Sequence, residues 1–414
     1  MIIDNDKFHR LMARIDSHRD EMVQMQRELC AIPAVGPENG GDGELAKATF
    51  LQKRLVEMGF TGIRNYNASD ERVSSGIRPN LIVTVPGTNS TKFIWIITHL
   101  DIVPPGEIKL WSHNPYDAIV RDGHIYGRGV EDNQQDMVSS IFAAQSLREE
   151  GIIPFNSIRL AFIADEEAAR VKGLLHVLET NQNIFSKDDL IIVPDSGNPA
   201  GSFIEIAEKS MLWLRFRTIG KQCHGSKPQL GKNAFVAASH LVTKLIHLKK
   251  LFPHTDAIFD PPASTFEPTK KEANVGNINT IPGEDVFCMD CRILPCYKLD
   301  DVQMEIAFII KKIEKKFKVT VECSEVYKMQ SAPATDADAP VIKALISAIK
   351  KVYGIEPVLG GVGAGTFAAD LRRYNLPVAV WSKNNQTAHQ PDENCNIDNM
   401  VGNAKVFGHI FLQD

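Results

Sequence analysis

Short apolar runs rich in β-branched residues recur through the first half of the chain, at Leu81–Val85, Phe93–Thr98, Ile158–Ile163 and Leu190–Val193. Such runs are the pattern of strands buried on both faces. Between them, helical spacing of apolar positions covers 6–32 and 43–58, and a charged helix runs from Asp136 to Gly151 after a loop. Strands alternating with helices predict an α/β domain built on a largely parallel sheet. From about residue 205 the pattern changes. MLWLRFRTIG, VFCMDCRIL and KVTVEC read as strands, and AFVAASHLVTKLIHLKKLF and DVQMEIAFIIKKIEKKF as helices. With a further strand expected near 274–280, the order is β-α-β-β-α-β, a small ferredoxin-like α+β unit. The helix APVIKALISAIKKVYG and the strand LPVAVW then resume the first pattern. The expected organisation is one α/β domain in two blocks, 1–208 and 326–414, interrupted by a smaller domain at 209–325. The polar loop Asn67–Asn80 is expected to be mobile.

Composition narrows the picture mainly by exclusion. A chain of 414 residues is long for a single core, which agrees with two domains. A net charge of −5 offers no electrostatic case for binding nucleic acid or an anionic membrane. No apolar run approaches the ~20 residues of a membrane span. The first 22 residues carry charges throughout and do not read as a secretion signal. Seven cysteines, an odd number in a long chain, argue against a disulfide framework and fit a reducing cytoplasm. Cys288 and Cys291 sit three apart in a strand pattern, so they face opposite sides of a sheet and read as structural.

The chemistry lies at the strand ends. In open α/β sheets, ligands bind beyond the carboxyl ends of the strands. FIWIIT is followed there by His99-Leu100-Asp101, and IRLAFIA by Asp165-Glu166-Glu167. LIIVP is followed by Asp195, and LPVAVWSKNNQTA by His389. A fifth group, Asp132, stands in the glycine-rich GRGVEDNQQDM loop that enters a helix. A single histidine after a strand is usually structural, and paired acids usually mark a solvated loop. Four such signals at the ends of separate strands are a different matter. Two imidazoles and three carboxylates suit a pair of divalent ions that share one carboxylate. Asp101 is placed to accept a hydrogen bond from the far ring nitrogen of His99. Among the other histidines only His224 invites a role, and the rest read as surface or helix residues.

THLDIVP, GHIYGRGVEDN, ADEE, VPDSG, CHGSKPQLGKNA, NTIPG, MDCRILP, GAGT and AHQPDE occur in this order over roughly 98–393. The set resembles the zinc-dependent exopeptidases and deacylases that include acetylornithine deacetylase, succinyl-diaminopimelate desuccinylase, aminoacylase, glutamate carboxypeptidase and the cytosolic dipeptidases. The resemblance implies two Zn²⁺ per subunit, with cobalt or manganese as possible substitutes. His99 and Asp195 would hold one ion, Glu167 and His389 the other, and Asp132 would bridge them. Glu166 would be the general base, with Asp101 and His224 assisting. Asn279, Arg292, Gly365 and Thr366 would contact substrate, and the Asp132–Asn133 peptide would be cis. The inserted domain would be a lid through which the chain forms a homodimer.

Two departures bear on substrate. Asn133-Gln134-Gln135 stands where lysine is common, and Ala168-Ala169-Arg170 stands where glycine often follows the paired glutamates. Arg170 is expected to face solvent. Asp195, where deacylases tend to carry glutamate, favours a dipeptidase or aminopeptidase. The alternative is an N-acyl-amino-acid deacylase. A non-catalytic metal- or peptide-binding protein is disfavoured, because Glu166 and all five ligands are present.

Overall fold

The computed structural model describes residues 4–414 apart from Ala169 and Gln182. The chain forms two compact units. The larger comprises the chain up to Ile206, Thr335–Leu359 and Thr366–Asp414, and the smaller Ala207–Ala334 with the short return Gly360–Gly365. Among the described residues no helix is long and apolar enough to cross a membrane.

The larger unit is built on an eight-stranded mixed sheet. Edge to edge its strands are Ile63–Asn65, Leu81–Val85, Asn156–Ile163, Asn89–His99, Leu190–Asn198, Val378–Lys383, Phe203–Glu208 and Val358–Val362. The four from Asn156–Ile163 to Val378–Lys383 are mutually parallel, so their carboxyl ends share one edge. Leu81–Val85 runs antiparallel to Asn156–Ile163, which makes this part of the sheet less uniform than expected. The central strands are buried because helices cover both faces. Ile94, Ile96, Leu160 and Ile192 pack into a core with helices Gln135–Glu149, Pro340–Tyr353 and Ile397–Phe411. Trp95, Ile97, Ile163 and Val193 pack on the other face with Leu174, Val177 and Leu371. Pro340 opens its helix with a ring that needs no amide partner, and Gly354 closes it in the left-handed conformation.

The smaller unit is a four-stranded antiparallel sheet in the order Thr265–Lys271, Glu284–Ile293, Ser210–Ile219, Thr320–Met329. Leu212, Leu214 and Phe216 alternate inward along the central strand and meet Leu241 of helix Ala234–Leu245 and Ile306 of helix Leu299–Phe317. Cys291 is buried on that face and Cys288 is half-buried on the other, and neither is bonded to another cysteine.

Three local expectations change. The helical pattern over 6–32 is two helices, Asn5–Ser17 and Arg19–Cys30, broken at His18. That histidine is buried and its Nε2 lies 2.7 Å from Glu149, so it is not a surface residue. The extra strand of the smaller sheet is Thr265–Lys271 and not 274–280. Pro268 and three charged side chains had masked its period-two pattern. The loop 67–80 is anchored from within. Arg78 is fully buried, donates from Nε to Glu44 at 2.7 Å and lies 3.4 Å from Asp70. Asn80 donates to the carbonyls of Tyr66 and Lys172.

His409 is a buried histidine with an edge-on Phe8 ring and the Gln413 amide beside its Nδ1. Burial and the nearby Lys351 lower its pKa to about 4. A group whose folded pKa lies below its unfolded value of ~6.5 supports stability above that value, and the support is lost as pH falls toward the folded pKa. Denaturant unfolding should therefore show about 2 kcal/mol of stability lost by pH 5 through this residue. His409→Leu should flatten the slope between pH 7 and 5 by nearly one proton. An unchanged slope would show that His409 is protonated in the folded chain.

Candidate active site

The four parallel strands deliver their groups to the shared edge. His99 is the last residue of its strand, in register with Ile163, from which the chain turns into Asp165-Glu166-Glu167. Asp195 lies within Leu190–Asn198, and His389 follows Val378–Lys383 on a loop. Asp132 arrives from a kinked turn, Val130–Gln134, with non-helical backbone at Asp132 and Asn133, just ahead of helix Gln135–Glu149. Gly129 makes that entry possible. Its φ is +83°, and a Cβ there would stand 2.5 Å from Ile102. The Asp132–Asn133 peptide is cis.

The structure brings all five expected ligands together. His99 Nε2 lies 3.0 Å from Asp132 Oδ1 and 3.2 Å from Asp195 Oδ1. His389 Nε2 lies 3.2 Å from Asp132 Oδ2 and 3.0 Å from Glu167 Oε1. Asp132 therefore aims one oxygen at each group. These are also the two sets of residues whose donor atoms could hold a metal ion among the described residues. The spacings approach the ~3.3 Å edge of a tetrahedron with bonds of ~2.0 Å.

The electrostatics agree with a site made for cations. Burial would lower His99, yet Asp101, Asp132 and Asp195 hold it well above its ordinary pKa. Hydrogen bonds to Asp132 and Glu167 raise His389 to about 10. Asp132, though buried, is held low by His389 and His99. Glu167 is pushed up to about 7 by burial and by Asp132. Glu166 is raised well above the usual carboxylate range by burial and Asp195, against the pull of Arg170. Protonated imidazoles thus supply the positive charge that the acids require.

Asp101 has a second task beside its pairing with His99. His99 Nδ1 bonds the Asp101 carbonyl oxygen at 2.9 Å, while the carboxylate is 3.6 Å away. That carboxylate accepts the backbone N–H groups of Glu166 and Glu167 at 3.1 and 2.9 Å. It fixes the turn that carries both glutamates.

Arg170 is also relocated. It is buried, donates to the Thr366 carbonyl at 2.6 Å, and lies 4.0 Å from Glu166 and 3.8 Å from Asp370. Solvation was the natural reading for a charged residue in a loop, but two buried acids draw the guanidinium inward. Its neighbour Ala169 lies outside the described residues. Thr366 caps helix Phe367–Arg373 through its side chain. Asn133, marked in the sequence only as a departure where lysine is common, donates to Pro194 O at 2.6 Å and to Asp195 Oδ1 at 3.2 Å. Its place beside Asp132 was the available signal.

His224, Asn279, Arg292 and Gly365 belong to the smaller unit. His224 pairs with Thr280 in a two-residue ribbon, and Gly225 N–H donates to Asn279 O at 2.7 Å, so His224 and Asn279 are neighbours. The backbone N–H of Ser226 donates to His224 Nδ1 at 3.1 Å, which places the ring proton of a neutral imidazole on Nε2. Arg292 is already engaged. Nε and Nη2 meet Asp290 at 2.7 and 2.9 Å, and Nη1 donates to the carbonyl of Gly363.

The family model of peptidase family M20/M25/M40 matches residues 95–413. The chain belongs to this family. Among similar proteins, an uncharacterized metallohydrolase of Methanocaldococcus jannaschii is 41% identical over 405 residues, covering 94% of this chain and 98% of the relative. A succinyl-diaminopimelate desuccinylase of Marinobacter nauticus is 25% identical, covering 94% and 98%. Human carnosine dipeptidase 1 shares the fold with a TM-score of 0.74 at 17% identity, covering 98% of both chains. The chain is thus a metallohydrolase with the M20 architecture.

Arg170→Met removes the guanidinium from between Glu166, Asp370 and the Thr366 carbonyl. Urea unfolding should report a loss of about 3 kcal/mol, the scale for breaking a buried ion pair. A change below about 0.5 kcal/mol, typical of exposed sites, would return this arginine to the solvent.

Proposed function

We propose that the chain is a two-metal hydrolase of the amide bond in small peptides or N-acylated amino acids, with dipeptides favoured. The observation that carries this reading is Asp132, whose two oxygens face two separate His–carboxylate pairs. His99, Asp132 and Asp195 would hold one ion, and Asp132, Glu167 and His389 the other. Zinc suits these nitrogen and oxygen donors, and cobalt or manganese could replace it. When bound, the ions would polarise the amide carbonyl and acidify the attacking water. Glu166 is a base and not a ligand, because Glu167 beside it already completes the His389 group. Its raised pKa suits a carboxylate that takes a proton from water and returns it to the leaving amine. His224 would donate from Nε2 to the developing oxyanion, a contribution of ~3–4 kcal/mol in comparable sites.

The deacylase reading has support of its own in the relatives named succinyl-diaminopimelate desuccinylase. The dipeptidase reading rests on Asp195 and on the resemblance to cytosolic dipeptidases. Metal-reconstituted enzyme offered dipeptides alongside N-acetyl and N-succinyl amino acids separates them. Dipeptides are expected to give the higher kcat/KM, and a preference for N-acyl substrates would reverse the assignment. Glu166→Gln should lose at least a thousandfold in kcat while retaining both ions by elemental analysis. Wild-type turnover, or stoichiometric loss of metal, would remove Glu166 from the role of base.

A homodimer through the smaller unit, with His224 serving the partner's site, belongs to the same reading. The edge strands Thr265–Lys271 and Thr320–Met329 are largely exposed and open to pairing with a second copy. Co-expressed Glu166→Gln and His224→Ala chains, each inactive alone, should recover activity as a purified heterodimer. A heterodimer as inactive as its parents would exclude action in trans.

A further inference from the structure

His389 poses a positional problem. It is about half exposed and stands on the irregular stretch between Lys383 and Asn394, with φ +63°. Yet its Nε2 meets Asp132 and Glu167 within 3.2 Å. A loop without regular hydrogen bonding does not hold a side chain to a few tenths of an ångström unaided.

Two buried glutamates outside the ligand set solve it. Glu131, next to Asp132, reaches across to the other loop, where its carboxylate accepts the backbone N–H groups of Asn385 and Thr387. It also accepts the Thr387 hydroxyl at 2.7 Å. Glu393, four residues after His389, reaches in the opposite direction. Its carboxylate accepts N–H groups from Gly129 at 3.1 Å, Glu131 at 2.9 Å and Asp132 at 3.1 Å. Arg128 Nη1 donates to it at 2.6 Å and balances its charge. Each loop thus inserts a carboxylate into the main chain of the other. Glu131 sits at the crossing, as side-chain acceptor in one direction and backbone donor in the other. Thr387 tightens the far side, its hydroxyl oxygen accepting from Asn394 N–H at 2.9 Å.

We propose that Glu131 and Glu393 are positioning residues that form a reciprocal clasp, setting the loop of Asp132 and the loop of His389 in mutual register before metal binds. Directed N–H to carboxylate bonds are short and strong, and they fix backbone where packing alone would leave it adjustable. The clasp orders the two loops whether or not an ion is present. Its consequence for metal affinity rests on the ligand assignment proposed above.

The test uses the full chain as Glu131→Gln, Glu393→Gln and the milder Thr387→Val. Hydrogen exchange of the metal-free protein reads the clasp directly. Glu131→Gln should speed exchange at Asn385 and Thr387, and Glu393→Gln at Gly129, Glu131 and Asp132. Thr387→Val should act in the same direction as Glu131→Gln but more weakly, which keeps the test alive if a glutamate variant does not fold. Calorimetric titration with Zn²⁺ should show affinity reduced tenfold to a hundredfold in the glutamate variants, the scale for residues that orient ligands. Excess Zn²⁺ should restore kcat, which it would not do for general structural damage. Unchanged exchange across the opposite loop in Glu131→Gln and Thr387→Val would overturn the clasp. So would loosened loops with wild-type Zn²⁺ affinity, if His389→Ala and Asp132→Ala lose metal. Should those two ligand variants bind Zn²⁺ normally, the ligand assignment fails instead, and the exchange data still decide the clasp.

Discussion

The arrangement at this sheet edge depends on one electrostatic constraint: several carboxylates are gathered where water screens them only in part. Asp132, Glu167, Asp195 and Glu166 sit within a few ångströms of one another around two imidazoles. Two like charges 4 Å apart repel by about 4 kcal/mol at an effective dielectric constant of 20. The cluster is stable only if positive charge is shared among its members. In the metal-free chain His99 and His389 supply it as imidazolium, bridging Asp132 from either side. Divalent ions would take over that charge and release the imidazoles to act as neutral ligands.

The same constraint explains how the surroundings are built. Ligand loops need support, but each added acid would deepen the excess of negative charge. Asp101, Glu131 and Glu393 all point their carboxylates at backbone N–H groups. Amide donors stabilise the ionised acid without introducing a mobile cation beside the site. Guanidinium groups stand beside some of these acids, Arg128 on Glu393 and Arg170 near Glu166 and Asp370. The acids facing inward can bind metal, and those facing outward hold main chain.

Legibility in the sequence follows from this division. The sheet was readable because its central strands are continuous apolar runs, and His99, Glu167 and Asp195 because each stands at the end of one. Asp132 was readable because Gly129 marks a required turn. Glu131 and Glu393 carry no such mark, since a carboxylate bonded to a remote amide has the same spelling as a solvated one. Arg170 and Arg78 misled for the same reason, because burial of a charge depends on partners more than 30 positions away, such as Glu44 for Arg78 and Asp370 for Arg170. The strand Thr265–Lys271 was missed because an edge strand protected by Pro268 and lysines lacks the apolar alternation that reveals central strands.

Among the candidate ligands only Asp195 bears on substrate class, and finer substrate choice needs more than the ligand edge. It must come from groups that read the flanks of the scissile bond. Arg292 was the natural candidate for a substrate carboxylate, yet both arms of its planar fork are on Asp290 and its remaining nitrogen is on Gly363. A carboxylate could reach that fork only by displacing an acid two residues away on the same strand. The pair therefore works first as a brace for the glycine-rich return at 360–365. A ligand that bound there would have to supply more than the single ion pair it breaks. Replacing Asp290 with asparagine would weaken the competition while leaving the brace's shape, and affinity for free-acid substrates should then rise relative to their amides. If both classes weaken together, the arginine serves the loop and not the substrate.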